Sequence, residues 1–429
     1  MRSDRLLYCL LSVLAGLSLR LQAGETTEIV VAVRGGGDFR SIQEALDAVP
    51  SPHEKPVVIL IRNGLYHEQL FLRQGGITLV GEDRDSTRIV AAVLREEWNR
   101  AHGGSDWGSG VVNIDTGTTD ITLANLTVLN NHGSLYGTHR KHAFAVRGAG
   151  TRIMILGCAI ISDGGDALSL WNREDGMYYH ADCYFEGWVD YVCPRGWCYI
   201  TGSRFFGHNT PSASIWHDGS RDKRQKFVIA DSFFDGVAGF PLGRNHLDAQ
   251  IYLIRCQFSA NMADRPFYRP PSSPREWQWG GRHYFYGCHR EGGDFAWFRD
   301  NLQTAEPSPD PDQIDACWTF DGRWDPEATM PSVLPRAFLP RPRDGVRVAG
   351  PGSVVLSWVA GRNVERHAVY FGTQNPPPHA ANVTEAKFEA GNLVPGTTYY
   401  WRVDEVSEGE VVPGPLWRFR TSEPAGTAK

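Results

Sequence analysis

The chain has 429 residues, of which 41% are hydrophobic and 21% are charged, and its formal net charge is −6. This length is more than one ordinary domain needs, and it predicts a larger unit followed by a smaller one. Acidic and basic residues are spread evenly along the sequence, which argues against nucleic acid or an anionic membrane surface as the principal partner.

The first residues have the pattern of an export signal. Charged residues precede an apolar stretch from Leu6 to Leu19, and a small residue, Ala23, ends the segment. This order predicts a signal peptide over residues 1–23 and a secreted or periplasmic protein. The alternative is an uncleaved membrane anchor, but the apolar stretch is shorter than the ~20 residues that a spanning helix needs.

A short helix is predicted over residues 41–49. Ser41 is a suitable N-cap, Glu44 follows it by three residues, and apolar residues such as Ile42 and Leu46 fall on one face. We expect this helix to cap the open end of the structure that follows it.

A short strand pattern recurs between residues 75 and 290. Each copy is a run of branched or aromatic residues, and the sixth position is occupied in turn by Leu126, Cys158, Cys183, Ser203, Ser232, Cys256 and Cys288. The copies lie 20 to 32 residues apart, as expected when loops of different length leave a solenoid of parallel strands. A β-sandwich is the alternative, but it needs turns about every 8 to 12 residues. The pattern therefore predicts an all-β fold, a right-handed parallel β-helix.

The cysteines fit the same interpretation. Removal of Cys9 with the signal peptide leaves seven cysteines, and their spacing matches no zinc motif. A small Cys or Ser at one stacked position of each turn would form an interior ladder. We therefore expect buried thiols and leave one or two disulfides open.

The C-terminal part of the sequence has a different pattern. Prolines are concentrated in residues 327–343, which predicts a linker between a unit of residues 24–326 and a second domain of residues 344–422. Alternating strands fill the second domain, and residues 393–403 resemble the turn and tyrosine-bearing strand of fibronectin type III domains. This resemblance implies a small β-sandwich, to which we assign no catalysis. Residues 423–429 are expected to form a tail.

Three charged residues at predicted strand ends are candidates for catalysis. Asp166 follows two glycines, Asp190 ends a segment of apolar residues, and Arg244 ends a third segment of similar composition. Two nearby carboxylates repel each other, so one keeps its proton to a higher pH and can act as an acid while the other stays ionised. A guanidinium beside the ionised carboxylate would keep it charged and aligned.

Several segments resemble the pectin methylesterase (pectinesterase) family. The likeness extends from residue 37 to about residue 325 and is carried by residues 37–50, 61–66, 182–190, 293–297 and 318–324. It implies a carbohydrate esterase that hydrolyses methyl esters of uronic acids in pectin-like polysaccharide and releases methanol. It further implies that Asp190 attacks the ester carbonyl, that Asp166 protonates methanol and then activates water, and that neither a metal nor an organic cofactor is needed.

The sequence also departs from the family pattern. Gly165 and His142 stand where the family carries glutamines that donate hydrogen bonds to the oxyanion, and His246 stands where an aromatic residue is expected. Losing one such donor costs about 10²- to 10³-fold in turnover. Our hypothesis is that His142 donates to the oxyanion, and the alternative is a histidine that only packs near the cleft.

The sugar-binding candidates are less specific. Of the tryptophans we expect only Trp188 at the sugar, because it precedes Asp190 by two positions. His246 stays a candidate by its place after Arg244. The remaining tryptophans of this region fit core or loop packing equally well, namely Trp171, Trp197 and Trp216. A polysaccharide is the expected partner, and a monomer is the expected state.

Two other functions stay open from the sequence. A β-helical lyase or glycosidase would leave unsaturated or reducing chain ends in place of methanol. A non-catalytic carbohydrate-binding protein would account for the missing glutamines, but simple binding does not require two aspartates and an arginine together.

Overall fold

A computed structural model describes residues 26–219, 221–348 and 352–422. The predicted signal peptide and the predicted tail lie outside these residues and stay predictions. No helix within the described ranges is long and apolar enough to cross a membrane.

Three parallel sheets wind around one core and confirm the predicted parallel β-helix. Sheet 1 consists of Thr27–Val31, Val57–Ile61, Ile77–Gly81, Thr119–Ala124, Thr151–Leu156, Met177–Ala181, Trp197–Thr201, Phe227–Ala230, Gln250–Ile254 and Arg282–Tyr286. Sheet 2 consists of Gly64–Tyr66, Thr87–Ala91, Thr127–Asn130, Ala159–Ser162, Tyr184–Gly187, Arg204–Gly207, Phe233–Gly236, Gln257–Phe258 and His289–Arg290. Sheet 3 consists of Leu70–Leu72, Gly110–Ile114, Phe144–Gly148, Leu168–Trp171, Val192–Arg195, Ile215–Trp216 and Gly243–Arg244. Inward-facing residues of the three sheets form a continuous apolar core.

One residue at each corner between sheets 1 and 2 sets the direction of the chain. It is the fifth position of the recurring strand pattern, and its φ is between 51° and 60° in every copy, at Asn125, Gly157, Asp182, Gly202, Asp231, Arg255 and Gly287. Gly, Asn and Asp tolerate this left-handed conformation better than other residues. Arg255 is the exception, and its guanidinium is held by two hydrogen bonds to Asp231, at 2.6 and 3.1 Å.

The next position of the pattern forms the expected interior ladder. The Cys183 amide donates to the Ser203 hydroxyl, and the Ser203 amide donates to the Ser232 hydroxyl, each at 3.1 Å. Small polar side chains at this level therefore satisfy backbone groups of the neighbouring turn. Every cysteine in the described residues is a free thiol.

The predicted N-terminal helix is present as Ile42–Ala48, with Ser41 as its N-cap. The Ser41 hydroxyl accepts from the Glu44 amide, as expected. The carboxylate that completes the cap is nevertheless Glu68, which accepts hydrogen bonds from Ser41, Ile42 and Gln43. The other helices are Arg95–Ala101, His132–Tyr136 and Ala316–Thr319, with short 3₁₀ turns at Ala296–Phe298, Leu302–Thr304 and Pro311–Gln313.

Two further sheets follow the β-helix. The first is antiparallel and consists of Phe338–Arg341, Gly352–Val359 and Lys387–Leu393. The second consists of Arg347–Val348, Trp417–Thr421, Thr398–Ser407, Arg366–Gly372 and His379–Val383, with Glu410–Val412 paired to its central strand. Buried aromatic residues such as Trp358, Trp401 and Phe419 fill a core of their own between these sheets.

The C-terminal sheets contact the outer face of sheet 1. Leu334 and Phe338 belong to the same apolar cluster as Tyr179 and Tyr199 of sheet 1. Arg343 lies beside this cluster and is largely buried, donating to Thr201 at 2.9 Å and to Glu327 at 3.1 Å. Because both faces of sheet 1 are covered, strands such as Trp197–Thr201 are buried at every position rather than alternately.

Arg343→Met should lower the free energy of unfolding by about 2–3 kcal/mol, because it removes charge-assisted hydrogen bonds from partly desolvated acceptors. Urea unfolding followed by tryptophan fluorescence measures the change. Arg366→Met, at an exposed position of the C-terminal sheets, is the matched control and should change the midpoint little. Equal effects of the two substitutions would contradict a special role for Arg343.

Candidate active site

Asp166 and Asp190 occupy equivalent corners on neighbouring turns, where the chain enters sheet 3. Both have left-handed backbone conformations, with φ of 59° and 47°. The Asp166 amide donates to the Val189 carbonyl and the Asp190 amide to the Ala213 carbonyl, each at 2.8 Å. Residues with such backbone conformations are held in place by the surrounding structure, and they are frequent at active sites.

Arg244 binds the Asp190 carboxylate with two hydrogen bonds. Arg244 Nε lies 3.1 Å from Asp190 Oδ1, and Arg244 Nη2 lies 2.6 Å from Asp190 Oδ2. The strand Gly243–Arg244 brings the guanidinium there because it pairs with Ile215–Trp216 of the preceding turn. The structure thus brings the residues that the sequence singled out to neighbouring turns, with Arg244 bound to Asp190.

Asp166 differs from Asp190 in having no hydrogen-bond partner. Its side chain is 1% exposed, and neither carboxyl oxygen has a hydrogen bond within the described part of the chain. The nearest basic nitrogen is His142 Nε2, at 3.6 Å from Asp166 Oδ2. A buried carboxylate without donors is costly, so the protonated form is favoured at this position.

Burial raises the pKa values of both acids, and the positive groups that oppose this effect differ between them. Burial raises the pKa of Asp166 to about 7, opposed by the positive charges of Arg195 and Arg95. Burial also raises the pKa of Asp190 to about 7, opposed by the hydrogen bonds and charge of Arg244. The two acids titrate as a pair. The first proton to leave comes from Asp190, because the Arg244 guanidinium stabilises its ionised form. Near neutral pH the pair therefore holds one proton, on Asp166, with Asp190 ionised.

His142 and Gly165 face each other across neighbouring turns, as a parallel bridge. A Cβ atom at Gly165 would lie 3.0 Å from the Val189 carbonyl oxygen, so this position has little room for a side chain. The His142 side chain is 42% exposed and reaches the groove beside Asp166. Burial and then the charge of Arg95 lower the pKa of His142, which favours the neutral imidazole.

Trp188 lies on the turn before Asp190, between two imidazoles. Its ring stacks on His139 at 4.7 Å and on His208 at 5.6 Å between centroids. His208 is held in turn by Glu186, at 2.6 Å. Two imidazoles therefore already stack on the Trp188 ring, which leaves less of its surface for a sugar.

A second group of planar side chains lies on the groove face of sheet 3, and the sequence did not identify it. We call it the cation–indole ladder, and its members are Arg147, Trp171, Arg195 and Trp216. The Arg147 guanidinium carbon lies 4.1 Å from the Trp171 ring centroid, and that of Arg195 lies 3.6 Å from Trp171 and 4.4 Å from Trp216. His246 contacts the end of the ladder, edge-on to Trp216 at 5.0 Å.

A sequence signal for the ladder existed. Trp171 follows Asp166 by five residues, and Arg195 follows Asp190 by five residues. Equal offsets from equivalent corners place two residues in register, and Trp171 does pair with Arg195. Trp197 differs from the ladder tryptophans, because it is buried on sheet 1 beneath Lys226.

The arrangement can support acyl transfer. An ionised carboxylate aligned by a guanidinium is a suitable nucleophile, and a neighbouring protonated carboxyl is a suitable general acid. Within the described ranges no group of three or more His, Cys, Asp or Glu residues could hold a metal ion.

The chain is similar in sequence to known pectinesterases. The sequence model of the family described as Pectinesterase matches residues 28–228. "Probable pectinesterase 56" of Arabidopsis thaliana is 29% identical over 173 residues, which cover 40% of this chain and 55% of that protein. "Pectinesterase" of Petunia integrifolia is 27% identical over 175 residues, which cover 39% of this chain and 41% of that protein. The chain thus spans about half the length of these curated relatives.

Solved structures extend the likeness in fold beyond the segment matched in sequence. Pectin methylesterase PemA from Erwinia chrysanthemi has a TM-score of 0.56 at 19% identity, covering 71% of this chain and 99% of that chain. A deglycosylated pectin methylesterase from Aspergillus niger has a TM-score of 0.56 at 18% identity, covering 71% of this chain and 98% of that chain. Both aspartates lie within the matched segment and Arg244 lies beyond it, on a later turn of the same helix. Residues 28–228 of this chain belong to the pectinesterase family.

Proposed function

We propose that this protein is a carbohydrate esterase that hydrolyses methyl esters of uronic acid residues in pectin-like polysaccharide. The observation that carries the proposal is the asymmetric pair of buried acids, in which Asp190 is bound by Arg244 and Asp166 has no hydrogen-bond partner in the described structure. The family of residues 28–228 supports the same reaction.

In the first step, the ionised Asp190 attacks the carbonyl carbon of the methyl ester. The new bond places negative charge on the carbonyl oxygen, and collapse of this intermediate expels the methoxy group. Asp166 donates its proton to the departing oxygen, so methanol leaves as a neutral molecule and an acyl anhydride remains on Asp190. Arg244 orients Asp190 through its two hydrogen bonds.

In the second step, Asp166 acts as a base. It removes a proton from water, whose oxygen attacks the acyl carbon and breaks the bond to Asp190. The product leaves as the uronic acid, which then loses its proton to solvent. Asp166 ends protonated and Asp190 ionised, which are the states in which the cycle began. Each turnover consumes one water and produces one methanol and one acidic uronate.

His142 is the proposed donor to the oxyanion. It lies beside Asp166 and is partly exposed to the groove. A neutral imidazole has one N–H donor, which is what an oxyanion requires. The backbone of Gly165 would lie beside the substrate, and Trp188 and His246 would contact the sugars at either side.

Further proposals concern the chain outside the groove. We propose export directed by residues 1–23, a catalytic domain of residues 24–326, and a fibronectin type III-like domain of residues 344–422. The two mainly antiparallel sheets between Phe338 and Thr421 support the last of these assignments, and their first strand, Phe338–Arg341, lies in the predicted linker of residues 327–343. The protein would act as a secreted or periplasmic monomer on a polysaccharide.

Asp190→Asn should lower methanol release from methylated pectin by about 10³-fold or more, since an amide is not a nucleophile of this kind. Asp231→Asn is a matched control, because Asp231 has the same left-handed backbone and is also bound by an arginine, Arg255. The control should keep its turnover.

Product analysis decides between the alternatives. Methanol without chain shortening supports the esterase, whereas unsaturated or new reducing ends would identify a lyase or glycosidase. Equal turnover of Asp190→Asn and the parent protein on every methylated uronate would remove Asp190 from catalysis and favour a different function.

The pH dependence of kcat/KM should be bell-shaped, because activity requires one proton on the pair of acids. Above a pH of about 7, the group titrating is Asp166, which loses the proton that methanol needs. At lower pH, protonation of Asp190 removes the nucleophile. Methanol release measured from pH 4 to pH 9 tests this, and activity that still rises at pH 9 would contradict it.

His142→Ala should lower kcat by about 10²- to 10³-fold with little change in KM, because the oxyanion forms only in the transition state. His142→Gln, which restores a neutral donor, should recover much of the loss. Steady-state kinetics on methylated pectin measure both variants. An unchanged kcat in His142→Ala would refute the oxyanion role, and a failure of both variants would point to packing.

A further inference from the structure

The five-stranded C-terminal sheet has one face that is turned away from its apolar core. Trp401, Val403 and Phe419 are buried in the core between the two C-terminal sheets. Because side chains alternate along a strand, their sequence neighbours Arg402 and Arg418 lie on the opposite face. We call this surface the arginine face, and its cationic members are Arg347, Arg366, Arg402, Arg418 and Arg420.

Strand pairing collects these arginines from distant parts of the sequence. Arg347 is the register partner of Arg420, and Arg418 is the register partner of Tyr400. Neighbouring strands are about 5 Å apart, and alternate residues are about 7 Å apart along one strand. The positive charges therefore recur with the spacing of the sheet, and they are exposed at Arg347, Arg418 and Arg420.

Aromatic rings lie between the charges of the arginine face. The Arg402 guanidinium carbon lies 4.4 Å from the ring centroid of Tyr370, its register partner. On the next strand, the His379 ring lies edge-on to Tyr370, at 5.4 Å between centroids. Tyr370 and Tyr400 are both partly exposed. The face therefore offers flat rings as well as positive charge.

The positive charge of this face is not balanced by acidic residues of the same sheet. Residues 344–422 contain seven Arg or Lys and eight Asp or Glu residues, and five of the seven cations lie on the arginine face. The five strands of the sheet contain two acidic residues. Asp404 shares the arginine face and lies 2.8 Å from Arg402 Nε. Glu405 lies on the opposite face, where it binds the buried His367.

We propose that the arginine face binds an acidic polysaccharide, at a site separate from the groove that contains Asp166 and Asp190. Guanidinium groups donate paired hydrogen bonds to carboxylates, and sugar rings pack on tyrosine rings. The whole chain has a net charge of −6, so a polyanion is attracted to this face and repelled by much of the remaining surface. The face includes none of the groups assigned to catalysis, so this second site goes beyond the proposed function.

A second site changes how the protein meets a long polymer. On the proposed function, each turnover adds a carboxylate to the polymer in the groove, which makes that polymer a better ligand for the arginine face. A chain held at two sites dissociates more slowly than a chain held at one. The arginine face should therefore lower the KM for long polymers and leave the KM for short oligomers unchanged.

Retardation of the full chain in native gels that contain unesterified polygalacturonate tests the proposal, because this polymer has no methyl ester to hydrolyse. The parent protein should bind, and added salt should weaken binding. A variant with both Arg347→Gln and Arg418→Gln should have a Kd about 5- to 30-fold higher. A variant with both Arg88→Gln and Arg204→Gln, two exposed arginines of sheet 2, is the matched control and should keep the parent Kd.

Two further measurements test whether the ligand is a polysaccharide. Tyr400→Thr removes a ring from the arginine face and keeps its charge, so it should raise the Kd for polygalacturonate by about 2- to 10-fold. Duplex DNA at the same concentration of negative charge should bind more weakly than polygalacturonate. Equal unfolding midpoints of the variants and the parent protein show that the substitutions preserve the fold.

Several outcomes would overturn the proposal. One is a parent protein that polygalacturonate does not retard. Another is an equal loss of binding in the two double variants, because that result indicates a general effect of net charge. Binding of DNA as tight as that of polygalacturonate, or an unchanged Kd in Tyr400→Thr, would identify a surface for anions in general.

Failure of the proposed function can be distinguished from failure of this second site. If no methylated uronate yields methanol, the esterase proposal is wrong, but retardation by polygalacturonate still tests the arginine face. If methanol is released, the variant with Arg347→Gln and Arg418→Gln should have a higher KM on long methylated pectin and an unchanged KM and kcat on short methylated oligomers. An equal rise of KM on both substrates would place the effect in the groove and contradict a separate site.

Discussion

In-register stacking of parallel turns is the constraint on which the site depends. Asp166 and Asp190 are 24 residues apart, and Arg244 is 54 residues beyond Asp190, yet each lies on a turn that reaches the same groove. A one-residue slip in any of these strands would turn its side chains to the other face of the sheet. The left-handed corner residues resist such a slip, because they fix where each turn leaves one sheet and enters the next.

Burial of two acids with one bound guanidinium gives the pair its chemistry. If each acid were bound by an arginine, both would be ionised near neutral pH, and neither could protonate a leaving group. If neither acid were bound by an arginine, both would stay protonated, and no nucleophile would form. Arg244 removes this symmetry by hydrogen bonding to Asp190 alone. On the proposed mechanism, position alone therefore separates the acid from the nucleophile, although the two residues have the same side chain and similar burial.

Sequence reasoning predicted the parts of the structure that repeat. The sixth-position ladder was visible because each turn carries the same pattern, and the parallel β-helix follows from that pattern. The three charged residues were visible because each lies at a predicted strand end. Apart from the contact of Arg244 with Asp190, contacts that join different turns through long side chains were not predicted. Glu68, and not Glu44, supplies the carboxylate that caps the first helix, and Arg343 binds Glu327 over the outer face of sheet 1. The cation–indole ladder was not predicted either. It depends on the register of paired strands, and loops of unequal length make that register hard to infer from the sequence.

The arginines near Asp166 offer a physical account of how the site tolerates the missing glutamines. Arg195, Arg95, Arg244 and Arg147 all lower the pKa of Asp166, so their positive potential reaches the position where the ester would lie. A glutamine stabilises an oxyanion through one short contact, whereas a guanidinium in a partly dry groove acts over longer distances. On the proposed mechanism, the arginines therefore supply most of the favourable potential, and His142 supplies the directed hydrogen bond. Neutralising any one arginine would then reduce the stabilisation of the oxyanion less than removing the His142 donor would.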